Sequence, residues 1–428
     1  MLSAFRNAFK IPELRGKILF TVAIIAVYRL GSHLPVPGVD FVAVQNYLRN
    51  PAAQDPNGAF TLINLFSGGA LTQFAIFALG IMPYITSSII MQLLGVVIPR
   101  LEQLQKEGES GRKKIQQYTR YLTVFLALLQ SASIVQLAHN QGILPLDIFP
   151  GLTPGRFALA VLTLTAGTAL IMWLGELITA RGVGNGMSII IFSAIVARLP
   201  SEGANILRVN GPFIFGLVCF LGLLIIVAVI FVEQAQRRIP VQYAKRMVGR
   251  RMYGGQSTYI PLKVNQAGVI PIIFASSLLY IPVLLASIVN KQWLTDFVEQ
   301  FARSGSHPLY IITYFLLIIG FAYFYNSIAF NPVDTADNMK KYGGFIPGIR
   351  PGRQTAEYLN YILTRITLPG AVFLGAVAIL PFIALAAGNV QSFPFGGTAI
   401  LITVGVGLET MKQIESQLLM RNYEGFLR

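Results

Sequence analysis

Side chains able to move protons, attack a substrate or hold a metal are scarce in this sequence, and none is spaced for catalysis. Acidic residues and histidines are nearly missing from its long apolar stretches, where a coupled transporter would show them. Glu176 and Glu409 stand toward the ends of theirs, which suits a capping or interfacial role. His33, His139 and His307 form no H-E-x-x-H pattern, and no G-x-x-x-x-G-K-[ST] phosphate loop occurs. Gly182-Val183-Gly184-Asn185-Gly186 has the glycines of a nucleotide loop without a preceding β-strand, so it reads as a turn. The single cysteine, Cys219, lies in an apolar run; it excludes a disulfide framework and a thiolate metal site and reads as a small buried residue. No catalytic residue, metal site or cofactor is expected, and any motor must act from outside the chain.

The remaining chemistry is recognition by cations. Arg237-Arg238-Ile239-Pro240-Val241-Gln242-Tyr243-Ala244-Lys245-Arg246 and Gly249-Arg250-Arg251-Met252-Tyr253-Gly254-Gly255 interleave basic residues with tyrosines and glycines. That composition suits an ordered hairpin better than a disordered tail. Exposed arginines beside aromatics suit an anionic partner such as RNA phosphate or an acidic protein face; a merely solvated basic loop is the alternative. A second stretch, Lys340-Lys341-Tyr342-Gly343-Gly344-Phe345-Ile346-Pro347-Gly348-Ile349-Arg350-Pro351-Gly352, is rigid and apolar at its centre, as a contact surface should be.

The elements that carry these loops are membrane helices. The 428 residues are 54% hydrophobic and only 12% charged, with mean hydropathy +0.61, far outside the range of soluble domains. A bilayer core about 30 Å thick takes roughly 20 apolar residues per helix. Ten candidate runs can be read against that need, some of them short or polar-flanked, near 18–33, 70–97, 118–138, 156–180, 186–200, 212–232, 267–289, 309–330, 367–386 and 396–412. The first ends in Tyr28-Arg29-Leu30-Gly31-Ser32-His33 without a cleavage pattern, so it is no signal peptide. Before it, Leu2, Phe5 and Phe9 share one helical face, which predicts an interfacial helix. Placing the N-terminus in the cytoplasm puts 26 of the 33 lysines and arginines on the cytoplasmic side and, with ten crossings, leaves both termini there.

Five spans per half allow an inverted repeat, with residues 1–205 as one half and 206–428 as the other. The pattern of Gly80-Ile81-Met82-Pro83-Tyr84-Ile85 recurs as Gly268-Val269-Ile270-Pro271-Ile272-Ile273 in the equivalent span. Proline inside both helices predicts a kink. The stretch from Phe60 to Val97 has 38 residues, which as one helix would extend about 57 Å, nearly twice the core. It must break, and Ser67-Gly68-Gly69 is the place. That leaves Phe60, Leu62, Ile63, Leu65 and Phe66 on a short segment, which either enters from the outer side as a stopper or lies flat on the outer leaflet.

At these residues the sequence resembles the SecY family through nearly its whole length. The matching stretches are Phe66-Ser67-Gly68-Gly69-Ala70-Leu71, Ile76 to Ile85, Lys106-Glu107-Gly108-Glu109-Ser110-Gly111-Arg112, Arg181 to Gly186, Leu262-Lys263-Val264-Asn265 and Gly348-Ile349-Arg350-Pro351-Gly352. The resemblance implies an all-α membrane protein of ten transmembrane helices, in two inverted five-helix halves around an hourglass pore. A re-entrant plug helix, Phe60 to Phe66, would end at the hinge Gly68-Gly69. It also implies a pore ring of Ile81, Ile85, Ile191, Ile273 and Ile402, and a lateral gate between spans 2 and 7 held by mutual hydrogen bonds of Thr86, Gln130 and Asn265. Arg250, Arg251 and Arg350 match the arginines that dock the motor SecA or the ribosome, and SecE and SecG are companion subunits. The implied function is a protein-conducting channel of the bacterial plasma membrane that passes nascent polypeptides and releases signal peptides and other hydrophobic segments to the membrane lipids. Two residues depart from the pattern. Gln73 replaces a basic residue after the hinge, which leaves plug anchoring by charge open, and Arg353 replaces a glutamate and adds positive potential beside Arg350.

The rival classes are a secondary transporter, which would need a convergent polar cluster at the midplane, and a simple anchor or ribosome receptor, for which a stopper would have no purpose.

Overall fold

Backbone groups in lipid must be satisfied within the segment, so long apolar runs become helices, and proline and asparagine mark where those helices begin. A computed structural model describes residues 9, 11–39, 67–71, 73–139, 153–243, 246–248, 251–253, 257–289, 308–387 and 397–426. The chain is mostly helical. Helices α1 (Pro12–Gly31), α2 (Met82–Val97), α3 (Pro99–Lys106), α4 (Glu109–His139), α5 (Pro154–Arg181), α6 (Gly186–Val196) and α7 (Leu199–Gln234) precede four strands. The strands are β1 (Gln236–Tyr243), β2 (Arg246–Val248), β3 (Arg251–Tyr253) and β4 (Ser257–Lys263). Helices α8 (Ile270–Val289), α9 (Pro308–Ala329) and α10 (Pro332–Lys341), strand β5 (Gly344–Phe345), and helices α11 (Arg353–Ala387) and α12 (Gly397–Phe426) complete the order. Pro12, Pro99, Pro154 and Pro332 occupy first turns, where the missing N–H is no loss and φ is preset. Thr153, Asn185 and Asn331 cap their helices through side-chain oxygens. The interfacial helix expected over residues 2–10 lies outside the described residues, Phe9 apart.

A helix occupies at least part of each of the ten apolar runs. Among the described residues, five helical stretches are long and apolar enough to cross a membrane: Pro154–Arg181, Gly186–Val209, Gly211–Gln234, Pro308–Lys341 and Arg353–Leu380. They become six if α2 and α3, bent by 101°, count as one. The fifth run, expected to end near 200, continues past a turn at Ala197–Arg198 to Gly211, where φ 81° breaks α7 before Pro212.

Two expectations change. The run near 70–97 is helical only from Met82; between Ser67 and Ile81 the described backbone is a chain of turns. Contacts from afar set it: the Val36 N–H donates to Phe74 O, the Ile76 N–H donates to Leu34 O, and Pro35 bridges Ala75. Ala70, Leu71, Phe74, Ala75, Phe77, Ala78 and Leu79 are buried, so this irregular backbone is enclosed by protein, the condition under which it survives at membrane depth. The prolines of the repeated motif also sit differently from expectation. Pro83 and Pro271 each occupy the second position of a helix, where proline starts a helix and kinks nothing.

Helix α8 packs against α2 and α4 on one side, and α12 packs against α6. These two seams join the cores around α4–α5 and α9–α11. The basic stretch after α7 is the expected hairpin: β1 pairs antiparallel with β4 from Gln236↔Lys263 to Gln242↔Ser257. The second basic stretch joins the same sheet, because β5 pairs with Gln242 and Tyr243, giving the order β4-β1-β5. Ile239, Val241, Leu262, Met339, Ile346, Leu359 and Ile362 form the core beneath. The two loops therefore make one unit.

Candidate pore and docking site

The five isoleucines come from the elements that meet at the two seams. Ile81 is the N-cap of α2 and Ile85 lies one turn in; Ile191 is on α6, Ile273 is in the first turn of α8, and Ile402 is near the start of α12. All five fall in one hydrophobic cluster, Ile81, Ile191, Ile273 and Ile402 buried and Ile85 half-buried against them. The remaining members include Ile24, Tyr28, Phe77, Ile190 and Val406, all without charge. β-Branched side chains are stiff about χ1 and offer an ion or water no hydrogen bond.

The repeated motif aims two of these residues alike. Gly80 and Gly268 hold positive φ, the Ile85 N–H donates to Ile81 O, and the Ile273 N–H donates to Val269 O. Each helix thus starts at the same step and carries an isoleucine at the same place in its first turn.

The polar residues expected at the gate stand on α2, on α4 and in the β4–α8 connection. Thr86, Gln130 and Asn265 are all buried. Among the described residues no hydrogen bond joins them, which corrects that expectation. Thr86 Oγ1 donates to Met82 O of its own helix at 3.0 Å, and Asn265 Nδ2 donates to Glu233 Oε1 at 2.5 Å and to Gly268 O at 3.1 Å. The reason is local: Glu233 ends α7 next to the β4–α8 connection, so the nearest strong acceptor for Asn265 is there. Asn265 thereby ties the end of α7 to the turn that starts α8.

Of the hinge, Gly68 and Gly69 have φ 65° and 91°. A Cβ on Gly68 would come within 3.0 Å of Ala194 Cα, so the turn lies directly on α6. Phe60, Leu62, Ile63, Leu65 and Phe66 lie outside the described residues. Gln73 Oε1 is 2.9 Å from His33 Nδ1, so the position that departs from the family pattern has a side-chain partner just after α1. A residue that the sequence did not single out is Arg29, which the charge count assigns only to the outer side. Its guanidinium donates to Ser193 O at 2.9 Å and to Gly68 O and Ala194 O at 3.4 Å. The pair Tyr28-Arg29 interrupting an apolar run was the clue.

Arg350 is exposed in the turn between β5 and α11, and Arg251 starts β3; Arg250 lies outside the described residues. Arg353 donates to Glu357 Oε1 at 2.9 Å, which offsets the positive potential expected of it. Glu176 accepts from Arg120 Nε at 2.8 Å and Gln116 Nε2 at 3.0 Å. It ties α4 to α5.

The SecY family model matches residues 75–411. The chain is 58% identical to the protein translocase subunit SecY of Mycobacterium tuberculosis (strain ATCC 25618 / H37Rv) over 441 residues, covering 100% of both. Its fold is similar to a solved structure of a protein conducting channel, with TM-score 0.62 and 19% identity, over 94% of this chain and 91% of that one. It is also similar to Sec61 in a canine ribosome-channel complex from the endoplasmic reticulum, with TM-score 0.60 and 18% identity over the same shares. Matched to the family over more than half its length and 58% identical to a relative over all of it, the chain belongs to the SecY family.

Proposed function

We propose that this chain is a protein-conducting channel of the bacterial plasma membrane, and that it passes unfolded polypeptides between two five-span halves, residues 1–205 and 206–428. The observation that carries the reading is the gathering of Ile81, Ile85, Ile191, Ile273 and Ile402 into one uncharged cluster at the seams between those halves. Such a constriction dewets when empty and yields around an extended chain of any sequence, because it makes no specific bond to it. A solute carrier would instead present polar groups there.

In this reading ten helices span the membrane with both termini cytoplasmic, and residues 60–66 form a plug on the outer side. The seam of α2 and α8 opens sideways for hydrophobic segments. Leu, Ile, Phe and Val favour the bilayer centre by about 0.3–0.6 kcal/mol each while Asp, Lys and Arg oppose it by about 2.5–3.5, so some 20 residues decide between release into lipid and export. The shared sheet of β1, β4 and β5, together with Arg250, Arg251 and Arg350, docks the ribosome or the motor SecA, and SecE and SecG accompany the chain. The work comes from those partners; the channel itself catalyses nothing. A relative of this fold in a ribosome-channel complex supports the ribosome as partner.

The test is ion conductance of the reconstituted protein with residues 60–66 deleted. The expected result is a raised resting conductance. An unchanged one speaks against a plugged pore.

A further inference from the structure

An arginine within an apolar helix calls for a partner and a purpose, and Arg29 has partners on two other elements. Its guanidinium donates to Ser193 O and Ala194 O, carbonyls in the last turn of α6, and to Gly68 O in the hinge turn. Next to it, Tyr28 Oη donates to Ser67 O at 3.2 Å, while the Tyr28 ring stacks on Phe77 at 5.8 Å and 9°. The C-terminal end of a helix carries partial negative charge, which favours a cation there, and a planar guanidinium can bridge several carbonyls at once. Gly68 adds a fit without side chain, since it rests against Ala194. Three segments are thereby tied at one point: α1, the Ser67–Gly68 turn and the end of α6.

That point is mechanically close to the constriction. Tyr28, Ala70 and Ala194 belong to the same cluster as the five isoleucines, and Ile191 lies one turn of α6 before Ala194. A shift of the end of α6 therefore moves Ile191. We propose that Tyr28 and Arg29 form a latch that holds the isoleucine constriction closed, by fixing α6 against α1 and the hinge turn. They are positioning residues, acting through Ile191, and the inference rests on the constriction proposed above. Opening for a chain requires these carbonyls to be released. The latch depends on no basic residue at position 73, where Gln73 meets His33 instead.

The test compares resting ion conductance of the full chain in proteoliposomes for Arg29→Gln, Arg29→Lys, Tyr28→Phe and, as a control, Ile191→Ser, each with its thermal melt in detergent. We expect Arg29→Gln to raise the conductance on the order of tenfold or more, the population shift that follows loss of its charge-assisted hydrogen bonds, of which that to Ser193 O is the shortest. Tyr28→Phe, which removes a hydroxyl and keeps the stacked ring, should raise it less, and it carries the test if Arg29→Gln fails to insert. Arg29→Lys should stay closed. If Ile191→Ser leaks while Arg29→Gln and Tyr28→Phe remain tight, the latch is wrong and the constriction stands. If Ile191→Ser is itself tight, the constriction falls. Equal leaks from Arg29→Lys and Arg29→Gln, both with lowered melts, would mark Arg29 as merely structural and overturn the latch.

Discussion

Gly80 and Gly268 hold the same left-handed backbone conformation, φ 57° and 58°, each three residues before a proline in the first turn of a helix, Pro83 or Pro271. Left-handed φ costs a residue with a Cβ about 1–2 kcal/mol. A Cβ on Gly268 would meet no atom within 4 Å, so Gly268→Ala isolates that backbone cost. We predict a loss of about 1–2 kcal/mol on thermal or denaturant unfolding in detergent. Unchanged stability would mean that this helix start is not held as described.

Asn265 supplies Glu233 with its hydrogen bond while also holding Gly268 O. Its removal by Asn265→Ala leaves a partly buried carboxylate without that donor, at a cost of about 1.5–3 kcal/mol. Asn265→Asp should cost more, because two carboxylates then face each other. The order of the two melts checks this, and equal melts would deny the pairing.

The Arg120–Glu176 pair spans 2.8 Å, with the arginine side chain 46% exposed and the glutamate 17%. Such pairs contribute about 0.2–1 kcal/mol and are screened by salt. Arg120→Met should therefore lower stability by less than about 1 kcal/mol, and the difference should shrink as salt is raised.

Arg350 is exposed in the turn between β5 and α11. Arg350→Glu should weaken binding to ribosomes by about tenfold or more in a sedimentation assay, with insertion and melting unchanged. Arg353→Gln should change little, since Arg353 is already neutralised by Glu357. Wild-type binding by Arg350→Glu would remove it from the docking surface.

Hydrophobic runs made most helices legible, because length and composition alone decide whether a segment can satisfy its backbone in lipid. The isoleucines were legible only through the resemblance; singly, each is an ordinary packed residue. What stayed hidden depended on distant partners. Residues 73–81 read as helix by composition, yet hydrogen bonds with Leu34 and Val36 hold them as turns. The hydrogen-bond partner of Asn265 was not legible either, because Glu233 is 32 positions away on another element. The pairing of β5 with β1 joins segments a hundred residues apart, with only two residue pairs and no periodic pattern to announce it.

The central claim is that a translocating chain threads the isoleucine cluster. The most direct measurement is crosslinking of a stalled export intermediate to single cysteines at Ile81, Ile85, Ile191, Ile273 and Ile402, in a Cys219→Ala background. The account predicts crosslinks from these positions and none from exposed Phe213 or Phe220 on α7. Crosslinks from Phe213 or Phe220 with none from the isoleucines would contradict it.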